Sequence, residues 1–134
     1  NRPSVVIWSL GNEAGTGPNL KAMADWLRAQ DPTRPVHYEG DHAGEYTDLY
    51  SRMYAGLDEC RLIATREDGG SPARLARPFV LCEYVHAMGT GPGGIAEYDE
   101  ILRSSDRMMG GFVWEWLNHG IRQRDELGRE FMAY

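Results

Sequence analysis

Apolar residues fall into short blocks separated by polar and glycine-rich stretches, and the blocks differ in period. Residues 4–10 (SVVIWSL) are nearly continuous in apolar and β-branched side chains, the pattern of a buried strand. Residues 18–31 (PNLKAMADWLRAQD) place Leu20, Met23, Ala24 and Leu27 at helical spacing behind a leading proline, which predicts an amphipathic helix. The PTRP that follows ends it. Residues 36–40 (VHYEG) read as a short strand, 49–55 (LYSRMYA) as a weaker one, and 56–68 as a helix followed by a Gly-Gly-Ser-Pro loop. Residues 77–84 (RPFVLCEY) form the next strand, 86–94 (HAMGTGPGG) a glycine-rich loop, 95–106 a helix, and 109–117 (MGGFVWEWL) the last strand of the series. The GRE at 128–130 reads as a turn between short extended pieces.

Strands that alternate with helices predict an α/β fold of parallel units with helices outside. The strands are apolar on both faces, as buried parallel strands are. About five of them suit either an open doubly wound sheet or part of a (β/α)8 barrel. The whole of 1–134 reads as one domain, with no internal repeat. The GTGPGG run lacks the Lys-Ser/Thr of a phosphate loop and has no strand of the right kind before it.

Composition narrows the partners. A net charge of −6 and a pI near 5.1 disfavour nucleic acid. No apolar run is long enough for a membrane helix. Cys60 and Cys82 show no metal-ligand spacing, so a reducing compartment, the cytoplasm, is expected. The chain opens at Asn1 directly into an apolar strand and stops at REFMAY, which raises the expectation that it is a piece of a larger protein.

Several strands end in polar or ionisable residues: Asn12 and Glu13; His37, Tyr38 and Glu39; Arg52 and Tyr54; Glu83, Tyr84 and His86; Trp114, Glu115 and Trp116. In a parallel barrel all of these ends open on one face, which carries the active site. A carboxylate at the end of the buried run FVLC is costly unless it is paired, hydrogen-bonded or neutral. Two such acids, Glu13 and Glu83, with aromatic walls from Tyr54, Tyr84, Trp114 and Trp116, point to glycoside hydrolysis. One carboxyl protonates the leaving oxygen and the other attacks the anomeric carbon or activates water. Taken singly, His86, His37 and Glu39 read as structural, Trp8 and Trp26 as core, Cys82 as buried and inert, and the DWLRAQD charges as a solvated helix face.

The segments NRPSVVIWSLGNEAG, RPVHYEGD, MYAGLDE, RPFVLCEYVHAMGTGPGG and GGFVWEWLNHGI resemble, in order, the β-galactosidases of glycoside hydrolase family 2. The resemblance implies a (β/α)8 TIM barrel, of which this chain is the second half, about strands 4 to 8. It implies Glu13 as general acid/base and Glu83 as nucleophile of a retaining enzyme. It places Asn12 on the sugar 2-hydroxyl, Tyr54 on the nucleophile, His86 on the galactosyl hydroxyls and Trp114 under the ring. It further implies Mg²⁺ with Glu13 as one ligand, an incomplete site in this chain, a Na⁺ near the sugar 6-hydroxyl, and an oligomeric parent. Thr90 departs from the family's usual Asn, which bears on hydrogen bonding in that loop. The expected activity is release of terminal β-D-galactose, as from lactose. The alternatives are an inactive barrel fragment and a β-glucuronidase or β-mannosidase specificity.

Overall fold

The computed structural model describes residues 2–88, 92–117 and 119–133. Five short strands run parallel. Trp8–Ser9 (β1) pairs with Val36–His37 (β2), and Tyr50–Met53 (β3), Phe79–Tyr84 (β4) and Met108–Val113 (β5) pair in that order. The His37 Nε2–Ser51 Oγ hydrogen bond, 2.9 Å, and that from the Asp48 N–H to the Val36 carbonyl, 2.8 Å, link the two groups. The parallel α/β order is as expected. Among the described residues these strands do not close into a barrel.

Helices alternate with the strands: Pro18–Gln30 (α1), Leu57–Thr65 (α2), Pro72–Leu75 (α3) and Ile95–Leu102 (α4). Proline in the first turn starts α1, where its missing N–H costs nothing. Its Ala24, with Leu20 and Leu27, packs on Leu10, Val36, Tyr38 and Tyr46. Cys60, Ile63 and Ala64 of α2 and Ile101 of α4 bury against Tyr50, Phe79, Leu81 and Met108. The chain ends in an antiparallel hairpin, Ile121–Arg124 (β6) with Glu130–Ala133 (β7), turned where the Asp125 carboxylate accepts the N–H groups of Leu127 and Arg129.

Three expectations change. The strand expected over 4–10 shrinks to two residues, because ladder bonds form only where β2 lies alongside, and Val6 is exposed. Trp26 is 62 % exposed instead of core, and Trp8 is half-buried with its indole N–H on Asp31. The Gly-Gly-Ser-Pro loop runs into a helical turn, Pro72–Leu75, that Ser71 caps by accepting the Arg74 N–H. The strands are not uniformly buried on both faces: Met109 and Phe112 of β5 are exposed. The glycine-rich loop that carries Thr90 lies partly outside the described residues, and Thr90 with it.

One buried cation joins the N-terminal ends of β3, β4 and β5. The Arg107 side chain is 0 % exposed and pairs with Asp68 at 2.7 Å. It also donates to the carbonyls of Ile63, Arg74 and Arg77. Arg74 pairs with the other Asp68 oxygen and lies over the Tyr50 ring. Close packing continues upward, where a Cβ on Gly111 would stand 2.9 Å from Leu81 Cβ, so β5 approaches β4 only with glycine there.

Removing one partner of a buried ion pair leaves the other charge unpaired and costs about 3–5 kcal/mol. Arg107→Ala is therefore expected to lower the unfolding free energy by that amount, read as a lower urea midpoint with an unchanged slope, whereas Arg61→Ala, on an exposed pair, changes the free energy by less than about 0.5 kcal/mol.

Candidate active site

The strands' C-terminal ends hold three of the four described non-glycine residues with positive φ: Glu13 (46°) after β1, Tyr54 (54°) after β3 and Val85 (52°) after β4. Such backbone costs of order 1–3 kcal/mol per residue and gathers where a site demands it. The fourth, Arg66, caps α2. A cavity of about 300 Å³ opens at these strands, lined by Ser9, Asn12, His37, Glu39, Cys82, Glu83 and Phe112 among others.

Tyr54 and Glu83 are joined twice. The Tyr54 N–H donates to the Glu83 carbonyl at 2.8 Å, and the Tyr54 hydroxyl donates to Glu83 Oε2 at 2.7 Å. A register shift between Arg52 and Met53 sets Met53 opposite Glu83 and so aligns the following residue. The Tyr54 phenol is held well above its ordinary pKa, first by loss of solvent, then by the bond to Glu83, then by the charges of Glu83 and Glu13.

Glu13 follows Asn12 on an exposed loop, with Asn12 on the cavity wall. Its backbone N–H donates to Glu39 Oε1 at 2.7 Å. His86 is exposed, its ring centroid 5.7 Å from that of Tyr54. Trp114 is half-buried after β5. Its N–H donates to the Tyr84 carbonyl and its carbonyl accepts from Ala87, at 3.1 and 2.6 Å, tying the β4 and β5 ends together. Phe112, not Trp114, is the β5 side chain on the cavity wall.

Two expected sugar walls are absent. Tyr84 is buried in an edge-on contact with Tyr98, so it belongs to the core, and Trp116 is 86 % exposed and outside the cavity. Cys82 is half-buried on the cavity wall, and burial pushes its thiol pKa up, so it stays protonated. His37 and Glu39, read singly as structural, both line the cavity. The signal was their position at the end of a strand in a parallel series. Burial lowers the His37 pKa, which favours the neutral ring between the hydroxyls of Ser9 and Ser51.

Among the described residues no three His, Cys, Asp or Glu side chains gather as a metal would need, so toward the expected Mg²⁺ these residues offer the Glu13 carboxylate as a single ligand. No described helix is long and apolar enough to cross a membrane.

Relatives give this geometry its context. Residues 1–134 match the family described as glycosyl hydrolases family 2, TIM barrel domain. The chain belongs to that family. It is 52 % identical over 143 aligned residues to a β-galactosidase of Arthrobacter sp. (strain B7), and 45 % identical over 141 to one of Enterobacter cloacae; both alignments take in the whole chain. A Kluyveromyces lactis β-galactosidase is 47 % identical over 128 residues, or 93 % of the chain. The chain spans only 12–14 % of these relatives' lengths.

The loop behind β2 hangs on Asp41. Burial by itself would raise this carboxyl's pKa. Hydrogen bonds from the N–H groups of Glu45, Tyr46 and Thr47 and from the Thr47 hydroxyl outweigh burial and hold it below 3.8. A lowered folded pKa contributes stability that is complete above the unfolded value and is lost as pH falls through the folded one. Asp41→Asn is expected to cost about 2–3 kcal/mol at pH 7. Unfolding curves of the two proteins should converge as pH drops below 3.8.

Proposed function

We propose that the chain forms the fourth to eighth strands of a family 2 catalytic barrel, with residues 1–134 all within that domain, and that it takes part in releasing terminal β-D-galactose. The observation that carries this reading is the Tyr54 hydroxyl, 2.7 Å from Glu83 Oε2, at a strand end where Glu83 lines the cavity with Asn12. The names of the relatives support the galactoside.

The mechanism is double displacement. A Glu83 oxygen attacks the anomeric carbon as the bond to the aglycone oxygen breaks, and the Glu13 proton passes to that oxygen. Water then attacks the same carbon, gives its proton to the Glu13 carboxylate, and displaces Glu83. Galactose leaves with its β configuration retained. Tyr54, kept protonated by its raised pKa, donates to Glu83 and holds the free oxygen toward the sugar. Asn12 on the cavity wall and exposed His86 beside Tyr54 supply polar contacts for sugar hydroxyls, and Trp114, half-buried just beyond the cavity lining, an apolar face. The two carboxyls are expected roughly 5–5.5 Å apart, the spacing of retaining enzymes.

A chimera tests this. The 134 residues replace the matching stretch of the Arthrobacter β-galactosidase, and nitrophenyl galactoside, glucuronide and mannoside are compared. Turnover of the galactoside alone is expected, and Glu83→Gln should lower kcat by about 10⁴-fold or more without unfolding. A folded chimera that is inert to galactoside, or a Glu83→Gln variant of near-normal rate, contradicts the reading.

A further inference from the structure

The loop that carries Glu13 rests on the end of β2, and two buried side chains grip three of its residues in a row. Glu39 Oε1 accepts the Glu13 N–H at 2.7 Å. The Tyr38 hydroxyl accepts the Ala14 N–H at 2.9 Å and donates to the Gly15 carbonyl at 2.7 Å. Tyr38 is 1 % and Glu39 7 % exposed. Gly40 completes the seat: a Cβ there would stand 2.6 Å from the Gly15 carbonyl oxygen and 2.5 Å from the Tyr38 ring, so the loop lies directly on this strand end.

The pattern is unusual in two ways. Glu13 holds a left-handed backbone (φ 46°) without being glycine, and the surroundings must enforce that. Glu39 is a buried carboxylate on the cavity wall with no salt-bridge partner among the described residues, an expensive way to accept one N–H. A neutral acceptor would satisfy a loop amide at lower cost. Tyr54 orients Glu83 through its side chain; among the described residues no hydrogen bond holds the Glu13 side chain, so the position of that acid depends on its backbone.

We propose that Tyr38 and Glu39 are positioning residues for Glu13, fixing the backbone of the acid/base so that its carboxyl reaches the leaving oxygen. The proposal rests on the reading of Glu13 given above. It makes the VHYEG segment part of the machinery for proton transfer, although neither residue touches the reacting atoms.

Proton donation matters in proportion to the basicity of the leaving group. A misplaced acid therefore slows methyl galactoside or lactose and spares a dinitrophenyl galactoside, whereas a merely loosened fold slows all of them alike. In the chimera, Glu39→Leu is expected to lower kcat/KM about tenfold or more for lactose and less than about threefold for the dinitrophenyl substrate. Glu39→Gln, whose amide oxygen still accepts the Glu13 N–H, should recover most of the loss on lactose. If Glu39→Leu does not fold, Tyr38→Phe carries the test, because it removes the two loop bonds and keeps the ring; the same selective loss is expected. Uniform loss across leaving groups, or none, in a folded variant overturns the proposal. An inert unsubstituted chimera refutes the assignment of Glu13 itself and this role with it, and is distinguished by the parent's own activity.

Discussion

The Arg107 guanidinium lies wholly out of water at the foot of β5, and the arrangement of β3, β4 and β5 depends on it. A charge there is tolerable only with full hydrogen bonding. Asp68 and three main-chain carbonyls supply that, and they come from α2, α3 and the approach to β4. Because its partners are main-chain groups, the cation fixes where segments meet as well as whether they meet. The feet of the strands are thereby tied, and the apolar contacts of Phe79, Leu81, Ile63 and Met108 fill the space above.

With one end tied, the other end is free to carry strained and polar chain. Left-handed residues, a register shift and hydrogen bonds between successive strand ends all lie at the C-terminal side. Each has a local cause. The Tyr54 N–H on the Glu83 carbonyl aligns β3 with β4, and Trp114, bonded on both sides, aligns β4 with β5. Tyr54 and Glu83 end up together because the neighbouring parallel strands β3 and β4 deliver them. The proposed division of labour is that of barrel enzymes, with stability at one end and chemistry at the other.

Much of this was legible in the sequence. Alternating apolar blocks and helical periods gave the parallel α/β order, and the acids at strand ends singled out Glu13 and Glu83 as the candidates on which the proposed function rests. What escaped was set by long-range contact. A two-residue β1 follows from which neighbour lies beside it, which periodicity does not encode. Tyr84 and Trp116 look alike as aromatics at strand ends, yet one is turned into the core by Tyr98 and the other into solvent. Glu39 was discounted because its partner is a backbone amide 26 residues away, a contact without a side-chain signature. The helical turn at 72–75 was signalled by its Ser-Pro start but is too short for a period to declare itself.

The central claim is that Glu83 makes the bond to sugar. A slow galactosyl donor, fluorinated at carbon 2 and carrying an activated leaving group, would stall the covalent step after attack. Digestion and mass spectrometry of the labelled chimera then read out the attachment site. The account predicts one galactosyl adduct, on the peptide that contains Glu83 and on that carboxyl. An adduct on Glu13 or Glu39, or inactivation of the Glu83→Gln variant at the same rate, would contradict it.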